Sequence, residues 1–238
     1  MKIVCVLIND VDLKKQLNII KKYEKNIYAV EIRADTFYPE TEKISFLLKF
    51  INIKFPKLKK ILTFRHFSEG GKIKITENQR KNFIISLLSN NFSYIDYVDI
   101  EFNSKIKEEI INYIKKYKKA VVLSIHYLNK LISLRNFKQD LKNIAKYIKN
   151  KGINKYTIKV VLKIDYLKQY FNFLKETYSF NKTNLTFFTV GKTSLVSRAI
   201  GVVLDMPLVY VATKSPVIAS QPDISKLLKV LKSIGYNL

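Results

Sequence analysis

Short apolar runs rich in β-branched residues alternate along the chain with stretches in which apolar residues recur every three or four positions. The short runs are continuously apolar, which is typical of strands buried on both faces of a parallel sheet. The eight strands that this pattern predicts are Lys2–Ile8, Tyr28–Arg33, Lys60–Phe64, Tyr94–Glu101, Ala120–Ile125, Tyr156–Leu162, Leu185–Val190 and Leu208–Ala212.

The stretches between the strands place Ile, Leu, Phe or Tyr at helical spacing, with Lys, Asn and Glu between them. This spacing indicates amphipathic helices that cover the sheet. We expect Asp223 to be the N-cap of the last helix. The predicted helices include Leu13–Tyr23, Ile44–Ile53, Asn78–Leu88, Ile106–Tyr117, Phe137–Lys149 and Ile224–Ile234.

Eight strand–helix units in 238 residues predict an α/β fold consisting of a single (β/α)8 TIM barrel, since such barrels are usually about 250 residues long. The alternative is an open doubly wound sheet, which predicts a glycine-rich phosphate loop after the first strand. The segment Ile8-Asn9-Asp10-Val11 stands there and contains no glycine. Because no Pro- or Ser-rich linker and no long repeat interrupts the pattern, we expect one catalytic domain spanning residues 1–238.

Composition narrows the class of protein. Hydrophobic residues make up 47% of the chain, and its one cysteine, Cys5, excludes an intramolecular disulfide. No apolar run reaches the roughly 18 residues that a membrane helix needs. The apolar run at the N-terminus is short and lacks the cleavage site of a signal peptide. We therefore expect a cytoplasmic protein without a membrane partner.

The formal net charge of +24 is typical of proteins that bind nucleic acid. Here the lysines are dispersed in pairs such as Lys14–Lys15 and Lys115–Lys116, mostly on the outer faces of predicted helices. Dispersed charge of this kind usually forms a solvated surface. We expect no nucleic-acid partner, and a basic nucleic-acid-binding protein stays a distant alternative.

Polar residues follow seven of the predicted strands at their C-terminal ends, where the active site of an α/β barrel is built. A set of this size is harder to explain by structural ion pairs than by a functional site. In chain order the set contains Glu31, Arg33, Asp35, Arg65, His66, Glu69, Asp99, Glu101, Ser124, His126, Lys159, Ser197, Arg198, Ser220 and Gln221.

The order of these residues carries more information than any one of them. The chain reads Glu-x-Arg-x-Asp, then Thr-x-Arg with Glu-Gly-Gly, Asp-x-Glu, Ser-x-His, a strand with a lysine, Ser-Arg and a terminal Gln. This ordered set spans nearly the whole chain and resembles the type I 3-dehydroquinate dehydratases of the shikimate pathway. The resemblance implies a hydro-lyase that converts 3-dehydroquinate to 3-dehydroshikimate by syn elimination of water, a step of chorismate and aromatic amino acid biosynthesis.

The resemblance also implies the catalytic residues. Lys159 would form a Schiff base with the ketone, and His126 would act as general acid and base. Glu69 would pair with His126 and orient it. Because the lysine must be neutral to attack, burial in a strand and the nearby cations of Arg65 and Arg198 would help to lower its pKa.

Substrate-binding residues follow from the same resemblance. Arg198 and Gln221 would hold the substrate carboxylate, with Arg65 close by, since an arginine fork suits a carboxylate. Glu31 and Arg33 would bind the ring hydroxyls. The expected partner is therefore a small molecule, 3-dehydroquinate, and we also expect a homodimer.

Neighbouring residues offer rival interpretations. Lys163 competes with Lys159 but falls past the apolar run, at the end of its strand. His66 should point away from the site if the third strand continues, so we expect a structural role for it. Asp35 and Asp99 are expected to be ion-pair partners of the scaffold rather than catalysts.

The chain departs from the family's pattern in three segments. Val217 stands where many members carry Ser, and Ile218-Ala219-Ser220-Gln221 replaces Ala-Pro-Gly-Gln. Val6 occupies a position where a substrate-binding Ser is often found. The seventh strand reads Phe188-Thr189-Val190-Gly191 where Met-Ser-Met is common. These changes affect the contacts expected around the substrate carboxylate and leave the Lys, His and Arg set unchanged.

Neither a metal nor a cofactor is expected. Two histidines and one cysteine show no metal-ligand spacing, and an iminium would already supply the electron sink of the reaction. The nearest alternative is another Schiff-base barrel lyase, such as an aldolase. That class shares the lysine strand but more often carries a phosphate-binding glycine loop near the seventh and eighth strands.

Overall fold

The structure is a computed structural model that describes residues 2–9, 12–128, 132–180, 184–213 and 220–237. Asp10 and Val11 lie outside the described residues, and so do Val217, Ile218 and Ala219. The strands are β1 Ile3–Leu7, β2 Ile27–Arg33, β3 Lys59–Thr63, β4 Tyr97–Glu101, β5 Ala120–Tyr127, β6 Tyr156–Lys163, β7 Leu185–Val190 and β8 Val209–Ala212. The helices are α1 Leu13–Lys22, α2 Thr41–Lys54, α3 Glu77–Asn91, α4 Lys107–Lys116, α5 Leu134–Asn150, α6 Leu167–Phe180, α7 Ser194–Val203 and α8 Ile224–Ser233.

The strands form one parallel sheet in the order β7-β6-β5-β4-β3-β2-β1-β8. Each strand from β1 to β6 therefore pairs with the next in the chain, and β1 also pairs with β8, so that the sheet curls into a nearly closed barrel with β7 and β8 at its two ends. Side-chain hydrogen bonds connect β7 and its surroundings to β8 at the two ends of the sheet. The Leu208 amide donates to the Thr186 hydroxyl over 3.0 Å, and Arg198 donates to the main-chain oxygens of Thr189 and Tyr210. The prediction of a single (β/α)8 barrel is confirmed.

The predicted strand bounds agree with the structure to within a few residues. The fourth strand begins at Tyr97 rather than Tyr94, because the segment Phe92–Tyr94 forms a 3₁₀ turn. The fifth strand continues to Tyr127, so that His126 lies within the strand and not after it. The Asp223 side chain caps α8 as predicted, accepting a hydrogen bond from the Lys226 amide over 2.9 Å.

Two apolar layers hold the barrel. The larger lies between the sheet and the surrounding helices, and the smaller fills the inside of the barrel with residues such as Val4, Ala29, Ile61 and Val122. Side chains two residues apart on a strand face the same side. Along β5 the inward side chains therefore change from apolar at Val122 to polar towards the C-terminal end, which puts an apolar floor beneath a polar rim. None of the described helices combines the length and the hydropathy needed to cross a bilayer.

A buried arginine on α3 ties this helix to the rim. Arg80 is 1% exposed. Its guanidinium donates to Glu101 over 2.7 Å, to Glu77 over 2.6 Å and to the main-chain oxygen of Phe64 over 3.0 Å. Glu101, at the end of β4, also accepts a hydrogen bond from Arg65 over 3.0 Å. Arg80 thereby supports the carboxylate that holds Arg65 in place.

Replacing Arg80 should destabilise the protein far more than replacing its neighbour Lys81. Arg80→Met leaves Glu101 buried with one cation fewer, and removal of one partner of a buried ion pair typically costs about 3–5 kcal/mol. Lys81 makes a half-exposed ion pair with Glu109 over 2.9 Å, so Lys81→Met should cost less than about 1 kcal/mol. Urea unfolding followed by circular dichroism measures both changes. Equal losses in the two variants would show that the buried pair contributes no more than a surface pair.

Candidate active site

A cavity opens at the C-terminal ends of the strands. All eight residues that the sequence singled out for catalysis or binding line it, namely Glu31, Arg33, Glu69, Arg65, His126, Lys159, Arg198 and Gln221. Apolar and aromatic side chains complete its wall, among them Val6, Val161, Phe188 and Tyr210. The arrangement follows from the barrel, because inward positions near the C-terminal end of each strand converge on one space.

Lys159 lies on β6 and is 4% exposed. Its Nζ atom is 2.9 Å from Oδ2 of Asp99 and 3.7 Å from Oε1 of Glu31. The ring of Tyr210 packs against the same nitrogen, with 4.0 Å between Nζ and the ring centroid. Lys163, the rival lysine, is exposed at the end of the strand and does not line this cavity. The structure thus places Lys159, and not Lys163, in the cavity.

Asp99 connects the lysine to the arginine beside it. Its carboxylate accepts hydrogen bonds from Ser124 over 2.6 Å and from Arg65 over 2.9 Å, in addition to the bond from Lys159. Burial acts to raise the pKa of Asp99, but the charges of Arg65 and Lys159 outweigh it and lower the pKa to about 2. Asp99 is therefore an ion-pair partner, as predicted. The sequence did not indicate that one of its partners is Lys159.

Asp35 is the second aspartate assigned to the scaffold. It binds Arg33 through two hydrogen bonds of 2.8 Å and accepts a third, of 3.3 Å, from the Arg65 amide. This pairing fixes the end of β2 against the end of β3. Arg33 remains at the cavity wall, where it also donates to the main-chain oxygen of Gly70 over 3.3 Å.

His126 and Glu69 form a hydrogen-bonded pair across the cavity mouth. Nδ1 of His126 is 2.8 Å from Oε2 of Glu69. In the register of β5 and β6, Ser124 lies opposite Lys159. His126 is two residues further along β5 on the same face, about 6.6 Å towards the mouth of the barrel. The lysine and the histidine therefore occupy successive levels of one wall.

The Glu-Gly-Gly motif positions the Glu69 side chain next to His126. Glu69 ends a short 3₁₀ helix, Phe67–Glu69, and Gly70 closes it with φ of +88°, a conformation that residues with a side chain rarely adopt. A Cβ on Gly71 would lie 2.1 Å from the main-chain oxygen of Arg65. Both glycines are thus required for the chain to turn back and present Glu69 to His126.

The pKa values of this pair are displaced in opposite directions. Burial is the main factor that lowers the pKa of His126 well below its ordinary value, and the cations Arg65, Lys159 and Arg33 add to this effect. Burial raises the pKa of Glu69 to about 7, although Arg65 acts against it. His126 is therefore neutral, and the nitrogen not bonded to Glu69, Nε2, can exchange a proton with a ligand.

The other histidine lies elsewhere, as predicted. His66 is half-buried, with its Nδ1 atom 2.7 Å from the hydroxyl of Ser68. It lines a second cavity, together with Glu69, Glu77, Asn103 and Lys105, and is not part of the wall of the first. Its position indicates a structural role in the turn that carries Glu69.

Arg65 and Arg198 differ in what surrounds their charge. Arg65 is held by the carboxylates of Asp99 and Glu101 at 2.9 and 3.0 Å. Burial acts to lower its pKa, but these carboxylates raise the pKa above its ordinary value. Arg65 is thus engaged with the protein itself, and it braces the wall of the cavity.

Arg198 on α7 is 2% exposed, and its described hydrogen bonds go to neutral groups. They run to the main-chain oxygens of Tyr210 and Thr189 over 2.6 and 2.8 Å and to the Ser194 side chain over 2.6 Å. Burial lowers the pKa of Arg198 to about 9. These bonds use Nε and Nη1 and none of them uses Nη2. A buried cation without a described carboxylate partner, facing a cavity, favours an anionic ligand.

Sequence reasoning missed Tyr210. It lies in the predicted strand Leu208–Ala212, where an aromatic residue in an apolar run indicates core, and no motif distinguishes it. Among the described residues, no group of three or more His, Cys, Asp or Glu side chains is arranged to hold a metal ion.

Solved structures share this fold. The type I 3-dehydroquinate dehydratase of Clostridium difficile, with covalently modified comenic acid, aligns with a TM-score of 0.78 and 19% identity over 99% of this chain and 93% of the other. The 3-dehydroquinate dehydratase of Aquifex aeolicus VF5 gives 0.75 and 21% over the whole of both chains. The carboxyl transferase domain of Rhizobium etli pyruvate carboxylase reaches 0.66 and 15%, over 99% of this chain and 43% of the other. At these identities the likeness shows the fold alone.

Sequence comparison is more specific. The 3-dehydroquinate dehydratase of Pyrococcus abyssi (strain GE5 / Orsay) is 26% identical over 228 residues, which cover 94% of each chain. The family model of type I 3-dehydroquinase matches residues 4–237. Because this match spans nearly the whole chain, the protein belongs to the type I 3-dehydroquinase family.

Proposed function

We propose that this protein is a 3-dehydroquinate dehydratase that works through a Schiff base on Lys159, within the shikimate pathway. The family supports the substrate and the reaction. The observation that carries the mechanism is the placement of Lys159 between Asp99 and Glu31, with the neutral His126 one level above it in the same cavity. One nucleophile and one proton carrier thus line one cavity and can act on one bound substrate.

The first step joins the lysine to the substrate. Lys159 must lose a proton to attack the ketone carbon. His126, which is neutral and lies one level above Lys159 on the same wall, is assigned to move the protons of this step, while Asp99 stays ionised, since its pKa is lowered to about 2. The carbinolamine then loses its hydroxyl as water, with His126 returning the proton, and a protonated imine forms. Asp99 and Glu31 stabilise the positive charge that stays on the nitrogen.

The second step is the elimination. The protonated imine withdraws electrons from the neighbouring carbon, and His126 takes a proton from that carbon to give an enamine. The enamine electrons then expel the hydroxyl, which leaves as water with the proton that His126 carries. His126 both removes the proton from one carbon and protonates the hydroxyl that leaves the next. The proton and the hydroxyl therefore leave from the same face, which is a syn elimination. Water finally hydrolyses the imine and frees Lys159.

Binding of the substrate carboxylate is assigned to Arg198, with Gln221 beside it at the cavity wall. The support is that Arg198 has no carboxylate partner among the described residues, in contrast to Arg65, which already pairs with two carboxylates. Glu31 and Arg33 are assigned to the ring hydroxyls. Assembly as a homodimer, a cytoplasmic location and the lack of a nucleic-acid partner stay predictions that rest on the sequence.

Borohydride trapping should identify the nucleophile. Reduction in the presence of substrate or product should inactivate the enzyme and leave the ligand mass on the peptide that contains Lys159, because a reduced imine cannot hydrolyse. Lys159→Ala should give no adduct, and the matched variant Lys163→Ala should still be labelled at Lys159. Peptide mass spectrometry reads both results. A label on Lys163 would refute the assignment.

The two histidines provide a test of the proton carrier. His126→Ala should reduce kcat by at least about 10²–10⁴-fold, the usual value of one positioned acid–base group, while substrate still binds through Arg198. His66→Ala should keep kcat within a few-fold of wild type, because His66 lies outside the cavity. Steady-state formation of the conjugated enone, followed by absorbance, measures both. Near-normal turnover in His126→Ala would contradict the mechanism.

The pH dependence of kcat/KM should report the ionisation of Glu69. Below its pKa of about 7, protonated Glu69 donates to Nδ1 of His126, so the proton of the neutral ring sits on Nε2 and that atom cannot accept another. Above this pH, ionised Glu69 accepts from Nδ1–H and Nε2 is free. We expect kcat/KM to rise with pH and to level off above about 7. Glu69→Gln should lose this ascending limb and His66→Ala should keep it. An unchanged limb in Glu69→Gln would assign the ionisation to another group.

A further inference from the structure

Tyr210 occupies a central position that the reaction as proposed does not use. It is the second residue of β8, it is 2% exposed, and it lines the same cavity as Lys159, Arg198 and Gln221. Its ring centroid is 4.0 Å from Nζ of Lys159. Its main-chain oxygen accepts a hydrogen bond from Arg198 over 2.6 Å. The side chain of Tyr210 thus contacts the residue assigned to the ketone, and its main chain contacts the residue assigned to the carboxylate.

The hydroxyl of Tyr210 is buried and has no hydrogen-bond partner among the residues that the structure describes. Burying a hydroxyl without a partner destabilises a protein, whereas phenylalanine would place the same ring there without that loss. Burial, together with the charges of Glu31 and Asp99, raises the pKa of Tyr210 well above its ordinary value. The hydroxyl therefore keeps its proton and is able to donate a hydrogen bond.

Neighbouring side chains fix the direction of the ring. Phe188 packs against it, with 5.7 Å between the two ring centroids, and Lys159 lies over its face. The hydroxyl is carried on a ring whose face contacts the nitrogen that the proposed reaction turns into an imine. A molecule joined to Lys159 would bring its own oxygens close to this ring.

We propose that the hydroxyl of Tyr210 donates a hydrogen bond to an oxygen of the substrate held at Lys159, and so is a further specificity-determining group of this site. The inference rests on the proposed function, because it takes the ligand to be a polyhydroxylated carboxylate bound through Lys159. The hydroxyl lowers the stability of the free protein and gains its partner only when the substrate is bound.

Tyr170 provides a matched control within the same chain. It lies on α6, its hydroxyl is also buried without a described partner, and its ring stacks on Phe187 with 5.5 Å between the centroids. Unlike Tyr210, it belongs to the layer between helices and sheet and does not line the active-site cavity. Tyr170→Phe and Tyr210→Phe therefore remove the same kind of group from two different environments.

The experiment compares these two variants with the wild type. Both should have the same Tm as the wild type or a higher one, since each loses a buried hydroxyl that lacks a partner. Tyr210→Phe alone should lower kcat/KM by about 2- to 12-fold, the range that one neutral hydrogen bond contributes. It should also reduce the increase in Tm that saturating product produces. Borohydride should still label Lys159 in both variants, which shows that the nucleophile is unaffected.

Three results would overturn the inference. If the wild type is active and Tyr210→Phe has an unchanged kcat/KM, the hydroxyl makes no contact with the substrate, and the proposed function still stands. An equal loss of kcat/KM in Tyr170→Phe would assign the effect to general packing. A wild type that does not dehydrate 3-dehydroquinate would overturn the proposed function and the inference together.

Discussion

The ion pair between Lys159 and Asp99 is the interaction on which the rest of the site depends. A lysine that is 4% exposed inside a barrel needs a carboxylate within reach, and Asp99 supplies it at 2.9 Å. Asp99 is itself buried and is held by Arg65, which in turn holds Glu101, and Glu101 is held by Arg80 on α3. The nucleophile is thus fixed by a chain of alternating charges that runs from the barrel axis to the outer helices.

Titratable groups inside the same barrel have different pKa values because their burial and their charged neighbours differ. Asp99, surrounded by Arg65 and Lys159, has its pKa lowered to about 2, whereas burial raises the pKa of Glu69 to about 7. Burial, together with the same cations, keeps His126 neutral. One carboxylate is therefore fixed as a counter-ion, and the other can exchange a proton near neutral pH. Such separation of pKa values is what acid–base catalysis requires.

How much the sequence could predict depended on whether a residue type is unusual in its surroundings. A lysine in an apolar strand stands out, and so does a histidine in a chain that has only two, but it was their fit to the ordered motif of the resembling family that placed Lys159 and His126 in the cavity in advance. Hydrophobic periodicity also predicted the barrel, because its period differs between strands and helices. The contact of Asp99 with Lys159 depends on strand register, which periodicity does not specify. Tyr210 in an apolar strand looks like any core aromatic.

At the seam between β7 and β8, the guanidinium of Arg198 contributes both to the fold and to the candidate active site. These strands end the pairing order of the sheet, and Arg198 spans them by donating to the main-chain oxygens of Thr189 and Tyr210. The guanidinium that bridges the two strands is also a buried charge without a described carboxylate partner, and it lines the same cavity as Lys159. Under the proposed function, the substrate carboxylate is therefore recognised by the residue that completes the barrel, and changes to Arg198 affect binding and fold together.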